Sequence, residues 1–154
     1  MSKNKSFIKQ SVSIKKPKAE VFKALTQAQE LIRWFPSRAE SDPKSGGKFK
    51  LFWDFTEASQ NGSQDGEFVD VVPNDKVSYT WKADSVQTLV TFVLSEAKGE
   101  TTVDLDHSTA EDSADEKKLV EDHANQWGFF LMNLKGYLEA GMDLRKEKLN
   151  QITN

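Results

Sequence analysis

The sequence predicts an α+β fold, a curved antiparallel sheet of about six to seven strands packed on one long C-terminal helix, with two short helices after the first strand. Two periodicities predict it. Between Gly46 and His107 apolar residues recur at every second position, broken by short polar turns. From Val120 to Leu138 the spacing changes to alternating steps of four and three, which is one face of a helix. Composition agrees: 154 residues, 37% hydrophobic and 29% charged, suit one domain with its own core.

Taken in order, Ser6–Ile14 alternates through Ile8, Val12 and Ile14 and reads as a strand. Pro17 suits the first turn of a helix, where its missing N–H costs nothing, and Val21, Phe22 and Leu25 give that helix an apolar face. A second short helix near Gln27–Trp34 stops before Pro36. Gly46-Gly47 reads as a turn or bulge feeding the next strand, in which Phe49, Leu51, Trp53 and Phe55 share a face. Val69 and Val71 are expected to share the inward face of the following strand. Val72–Val77 and Ala97–Glu100 read as hairpin turns, and Val77-Tyr79-Trp81, Val90-Phe92-Leu94 and Val103-Leu105-His107 as strand faces. The last helix opens on a capping box, Ser113-Ala114-Asp115-Glu116, whose Ser and Glu side chains satisfy free backbone N–H groups. It carries the stripe Val120, Ala124, Trp127, Leu131, Leu134 and Leu138, and Gly141 supplies a left-handed stop. The expected domain is 1–154, with a core at about 6–141 and a polar tail at 145–154.

Several classes of function are disfavoured. With no Cys there is no disulfide frame, thiolate metal site or cysteine nucleophile. A net charge of −3 argues against a nucleic-acid partner. No signal peptide and no run of roughly 20 apolar residues is visible, so the cytoplasm is the expected compartment and no membrane span is expected. His107 and His123 lack the spacing of a local metal motif, no G-x-S-x-G occurs, and no carboxylate pair has the setting of an acid–base dyad. No catalytic residue, metal or cofactor is therefore assigned.

A curled sheet that stands off from its helix leaves space lined by the inward alternates. Those are Trp53, Phe55, Val71, Tyr79, Trp81, Phe92, Leu105 and His107 from the sheet, Trp127, Phe130 and Leu131 from the helix, and Trp34 or Phe35 from the short helices. An apolar space with few polar groups is the usual small-molecule site; the plainer reading is a solid aromatic core. His107 reads either as a ligand anchor or as a hydrogen-bonded histidine at a strand end. Lys9, Lys15, Lys16, Lys18 and Lys23 form a mild basic cluster, read as a solvated face or as contact with an acidic protein partner.

An ordered set of segments extends these landmarks: P-K-A-E-V-F-K-A-L-T at Pro17–Thr26, L-I-R-W-F-P at Leu31–Pro36, D-P-K-S-G-G-K-F at Asp42–Phe49, G-E-F-V-D-V-V-P at Gly66–Pro73, Y-T-W at Tyr79–Trp81, T-T-V-D-L-D-H at Thr101–His107, then Trp127, Asn133-Leu134-Lys135 and Y-L-E-A-G at Tyr137–Gly141. Together they resemble the START-like (SRPBCC, Bet v I-type helix-grip) superfamily and, within it, the heat-shock protein 90 ATPase activator homologue family. The resemblance implies a sheet gripping the C-terminal helix with a cavity between them. The expected function is binding of a small hydrophobic or amphipathic ligand, as a non-enzymatic carrier or sensor, at Trp34, Trp53, Phe55, Tyr79, Trp81, Phe92, His107, Trp127, Phe130 and Leu131. The alternatives are a protein-interaction module regulating an ATPase chaperone, or a cavity-based cyclase or hydrolase. The chain is expected as a monomer or homodimer.

Overall fold

The structure, a computed structural model, describes residues 5–53, 62–83, 86–109 and 116–143. The chain runs β1 (Lys5–Ile14), α1 (Lys18–Thr26), α2 (Ala28–Leu31), β2 (Arg38–Ser41), β3 (Lys48–Trp53), β4 (Gly62–Val72), β5 (Lys76–Ala83), β6 (Val86–Ala97), β7 (Glu100–Thr109) and α3 (Glu116–Ala140). The strands form one seven-stranded antiparallel sheet in the order β1-β7-β6-β5-β4-β3-β2. Strands β2 to β7 are a meander, and β1 closes beside β7 because α1, α2 and β2 carry the chain across to the far edge.

Alternation explains which side of the sheet is covered. Opposed residues run Phe68, Tyr79, Val90, His107 and Ile8 across five strands, and every one is buried. The row Val72, Lys76, Val93 and Asp104 lies on the other face, where Val72 and Val93 stay exposed. Helix α3 covers the inward face with Trp127, Leu131 and Leu134, all buried, and Leu138 packs at its margin. The capping box at Ser113, the tail 145–154 and the side chains of Val120, Ala124 and His123 lie outside this description.

Two turns show how local sequence sets geometry. Lys98 (φ 55°) and Gly99 (φ 76°) both take positive φ, the pairing that a two-residue hairpin between right-twisted strands requires. Gly141 (φ 66°) ends α3, and its N–H donates to the Tyr137 carbonyl at 2.9 Å, a left-handed C-terminal cap.

One expectation needs correction, and one strand has no signal in the sequence. Val69 and Val71 do not share a face: the register of β4 against β5 slips between Phe68 and Asp70, a bulge at Val69. The extra residue turns Phe68 inward, leaves Val69 exposed and lets Val71 pack only partly against the core. Strand β2 carries no visible apolar alternation, because in Arg-Ala-Glu-Ser only Ala39 approaches the core, so its pairing with β3 is not apparent from the sequence.

Candidate functional site

The turn after α2 places two adjacent aromatics, Trp34 and Phe35, under the sheet, and three bonds hold them there. Trp34 Nε1 donates to the Ala24 carbonyl of α1 at 2.8 Å. Asn133 Nδ2, on α3 and fully buried, donates to the Trp34 carbonyl at 2.8 Å. Trp53 Nε1, on β3, donates to the Phe35 carbonyl at 3.2 Å. This backbone lies in the interior, where polar groups without partners are costly, so the three side chains stabilise the turn and fix the direction of its rings.

Phe35 is the hub of the resulting ring cluster. It stacks on Trp34 at 4.9 Å between centroids and meets Trp53 at 5.4 Å and Phe130 at 4.8 Å, both edge-on. Trp127 lies 5.5 Å and Trp81 6.1 Å away. These are ordinary attractive separations for aromatic pairs. Trp81 in turn meets Trp127 at 5.4 Å and Trp53 at 6.2 Å. Rings from β3, β5, the α2 turn and α3 therefore form one seam. Trp53 and Phe130 sit at its margin, half-buried, and the others are buried.

The helix reaches the sheet unevenly. Its backbone approaches most extensively along β1. Opposite β5 and β6 the two layers are joined by side chains instead, Trp127 against Trp81 and Phe92.

One polar relay crosses the seam. His107 is fully buried. Trp127 Nε1 donates to His107 Nδ1 at 3.1 Å, and an indole N–H can only donate, so Nδ1 carries a lone pair and the ring proton sits on Nε2. Nε2–H then donates to Thr88 Oγ1 at 2.6 Å, and the Thr88 hydroxyl donates to the Trp81 carbonyl at 2.8 Å. Thr88 reaches His107 diagonally, because His107 pairs with Val90, two residues along β6. The relay has one direction throughout and ties α3 to β7, β6 and β5 with a neutral imidazole.

The other sequence-selected residues divide. Tyr79 stacks on Phe49 at 4.1 Å and meets Phe68 edge-on at 6.0 Å, a neighbouring cluster that touches Trp81 at 6.3 Å. Burial pushes the Tyr79 phenol up, so it stays protonated. Phe92 joins Tyr79 to Trp127, and Leu131 is buried beneath the seam. Phe55 lies outside the described residues. Thr88 is not among the candidate site residues of the sequence, Asn133 figures there only as a landmark of the resemblance, and Phe35 only as an alternative to Trp34. Thr88 had one usable signal, its phase with Val90 and Phe92 on the inward face.

The family model described as activator of Hsp90 ATPase homolog 1-like protein matches residues 15–139. No curated protein matches. Among solved structures, an HSP90 activator from Plasmodium falciparum is 28% identical, with 85% of this chain and 94% of that chain covered and a TM-score of 0.67. Protein MLL2253 from Mesorhizobium loti is 24% identical over 85% of this chain and 96% of that one, with a TM-score of 0.72. The Aha1 dimer from Colwellia psychrerythraea is 23% identical over 87% and 96%, with a TM-score of 0.71. The last two speak to the fold alone, a curved sheet gripping a C-terminal helix. No helix among the described residues is long and apolar enough to cross a membrane.

Proposed function

The chain belongs to the activator of Hsp90 ATPase homolog 1-like family, and for this member we propose binding of a small, flat, apolar or amphipathic ligand at the aromatic seam between sheet and helix. The observation that carries the reading is the uneven approach of the layers: α3 lies close along β1, while opposite β5 and β6 large rings span the gap. A flat guest between Phe35, Trp81 and Trp127 would exchange one aromatic contact for another, and the half-buried Trp53 and Phe130 mark its way in. The role that follows from such binding is that of a carrier or sensor.

The test is a panel of fused-ring aromatic compounds added to the purified protein. Ligand binding predicts a one-to-one adduct in native mass spectrometry and a raised unfolding midpoint that grows with ligand concentration. No adduct and no shift across the panel would refute it.

Family membership favours a second reading, regulation of an Hsp90-type ATPase through a protein surface. The 28% identity to the Plasmodium falciparum activator, over 94% of that chain, supports it. The basic cluster is one candidate surface, although Lys18 Nζ is already engaged by Asp75 at 2.6 Å. A homodimer belongs to the same reading. Chaperone ATPase rate with and without added protein decides it, and an unchanged rate counts against it.

A further inference from the structure

We infer that the seam selects a neutral ligand carrying a hydrogen-bond acceptor, such as a carbonyl, ether or ring nitrogen on a flat apolar body, and that Trp81 Nε1–H is the group that reads it. The inference rests on the ligand-binding reading above and names the chemistry that reading leaves open.

Trp81 is 6% exposed, and its Nε1 is buried without a hydrogen-bond partner among the described residues. An indole N–H is a donor only, and leaving such a donor unmade in a low-dielectric interior is destabilising. Five donors of the seam are engaged within the protein: Trp34 on Ala24, Trp53 on Phe35, Trp127 on His107, His107 on Thr88 and Thr88 on the Trp81 carbonyl. Three of the four tryptophans thus find a partner in the fold, while the fourth, at the centre of the seam, holds its donor in reserve.

The surroundings decide what that donor accepts. The rings nearest Trp81, those of Phe35, Trp53, Tyr79, His107 and Trp127, carry no charge in this arrangement. His107 is held neutral by the bond it accepts from Trp127, and Tyr79 is held protonated by burial. A carboxylate placed there would be buried with no described counter-charge, which costs far more than one hydrogen bond returns. A ligand donor would meet His107 nitrogens that already have partners. A neutral acceptor is the group that satisfies Trp81 without a new unpaired atom.

Three shape-matched probes test this on the full chain by calorimetry: acetylnaphthalene, isopropenylnaphthalene, in which C=CH2 replaces C=O, and naphthoate, all as the same ring isomer. The ketone should bind about tenfold more tightly than the alkene, and naphthoate weakest. In Trp81→Phe, which keeps an aromatic ring and removes the N–H, the ketone's advantage should vanish. Should that variant fail to fold, the ketone-to-alkene ratio in the unaltered protein still decides. Equal affinity for ketone and alkene, or naphthoate binding best, overturns the acceptor inference and leaves the ligand reading standing. Binding of none of the three overturns both.

Discussion

At the scale of single residues, the interior is held by polar atoms with defined partners, Trp81 Nε1 excepted. Thr88 shows what this is worth. Its hydroxyl accepts from His107 and donates to the Trp81 carbonyl, so Thr88→Val leaves the buried His107 Nε2–H without its partner and removes one bond to that carbonyl. The loss expected in urea unfolding is about 1–3 kcal/mol, the usual cost of an unmade buried hydrogen bond. An unchanged midpoint would show that the relay contributes nothing to stability. Phe35 makes a different kind of contribution, because its ring touches elements from both layers. Phe35→Ala is expected to cost about 3–5 kcal/mol in the same assay. That Phe35 and not Trp34 is the hub was not legible in the sequence: two adjacent aromatics after a short helix have no periodicity that ranks them. Thr88 was hidden for a related reason, since a threonine in a strand looks like any good β-former. The large rings of the seam, by contrast, were legible one by one, because strand alternation and helix spacing each point them inward.

At the scale of elements, α3 does two jobs. Its buried side supplies Trp127, Leu131, Asn133 and Leu134 to the interior. Its flank guards the edge strand β1: Lys135 Nζ donates to the Ser13 carbonyl, and Glu139 Oε2 accepts the Lys15 backbone N–H at 2.8 Å. Tyr137 adds a link to α2 by donating to Glu30 at 2.7 Å. The Lys15 N–H, and then Lys135, hold the Glu139 carboxyl below its ordinary range. Its stabilisation is therefore fully present above the pKa it has in the unfolded chain, and is lost as pH falls through the lower folded value. Glu139→Gln should flatten the acid side of the stability profile; a slope identical to that of the unaltered protein would contradict this. The Gly141 cap makes a simpler prediction, since Gly141→Ala forces a side chain into positive φ and should lower stability by about 1–2 kcal/mol. The meander and the long helix were legible because each repeats one period over many residues. The phase of β4 was not, because a single bulged residue at Val69 reverses the inward face without altering composition.

At the scale of the whole molecule, the fold joins two layers in two ways. Along β1 the backbones of helix and sheet lie close, with Gln10 Oε1 only 3.6 Å from where a Cβ on Gly128 would sit. Opposite β5 and β6 the layers meet through rings. The first is a close contact of backbones and the second is the seam that we propose a guest enters. The family resemblance in the sequence anticipated the layers, but alternation says only which residues face inward and nothing about how far apart the layers stand. The most direct measurement is the indole region of a proton–nitrogen correlation spectrum, recorded while acetylnaphthalene is added. The four tryptophans give four separate signals. Entry into the seam predicts saturable shifts at Trp53, Trp81 and Trp127, with the Trp81 proton moving downfield as its donor is taken up. Indole signals that stay unmoved up to the solubility limit of the probe would contradict it.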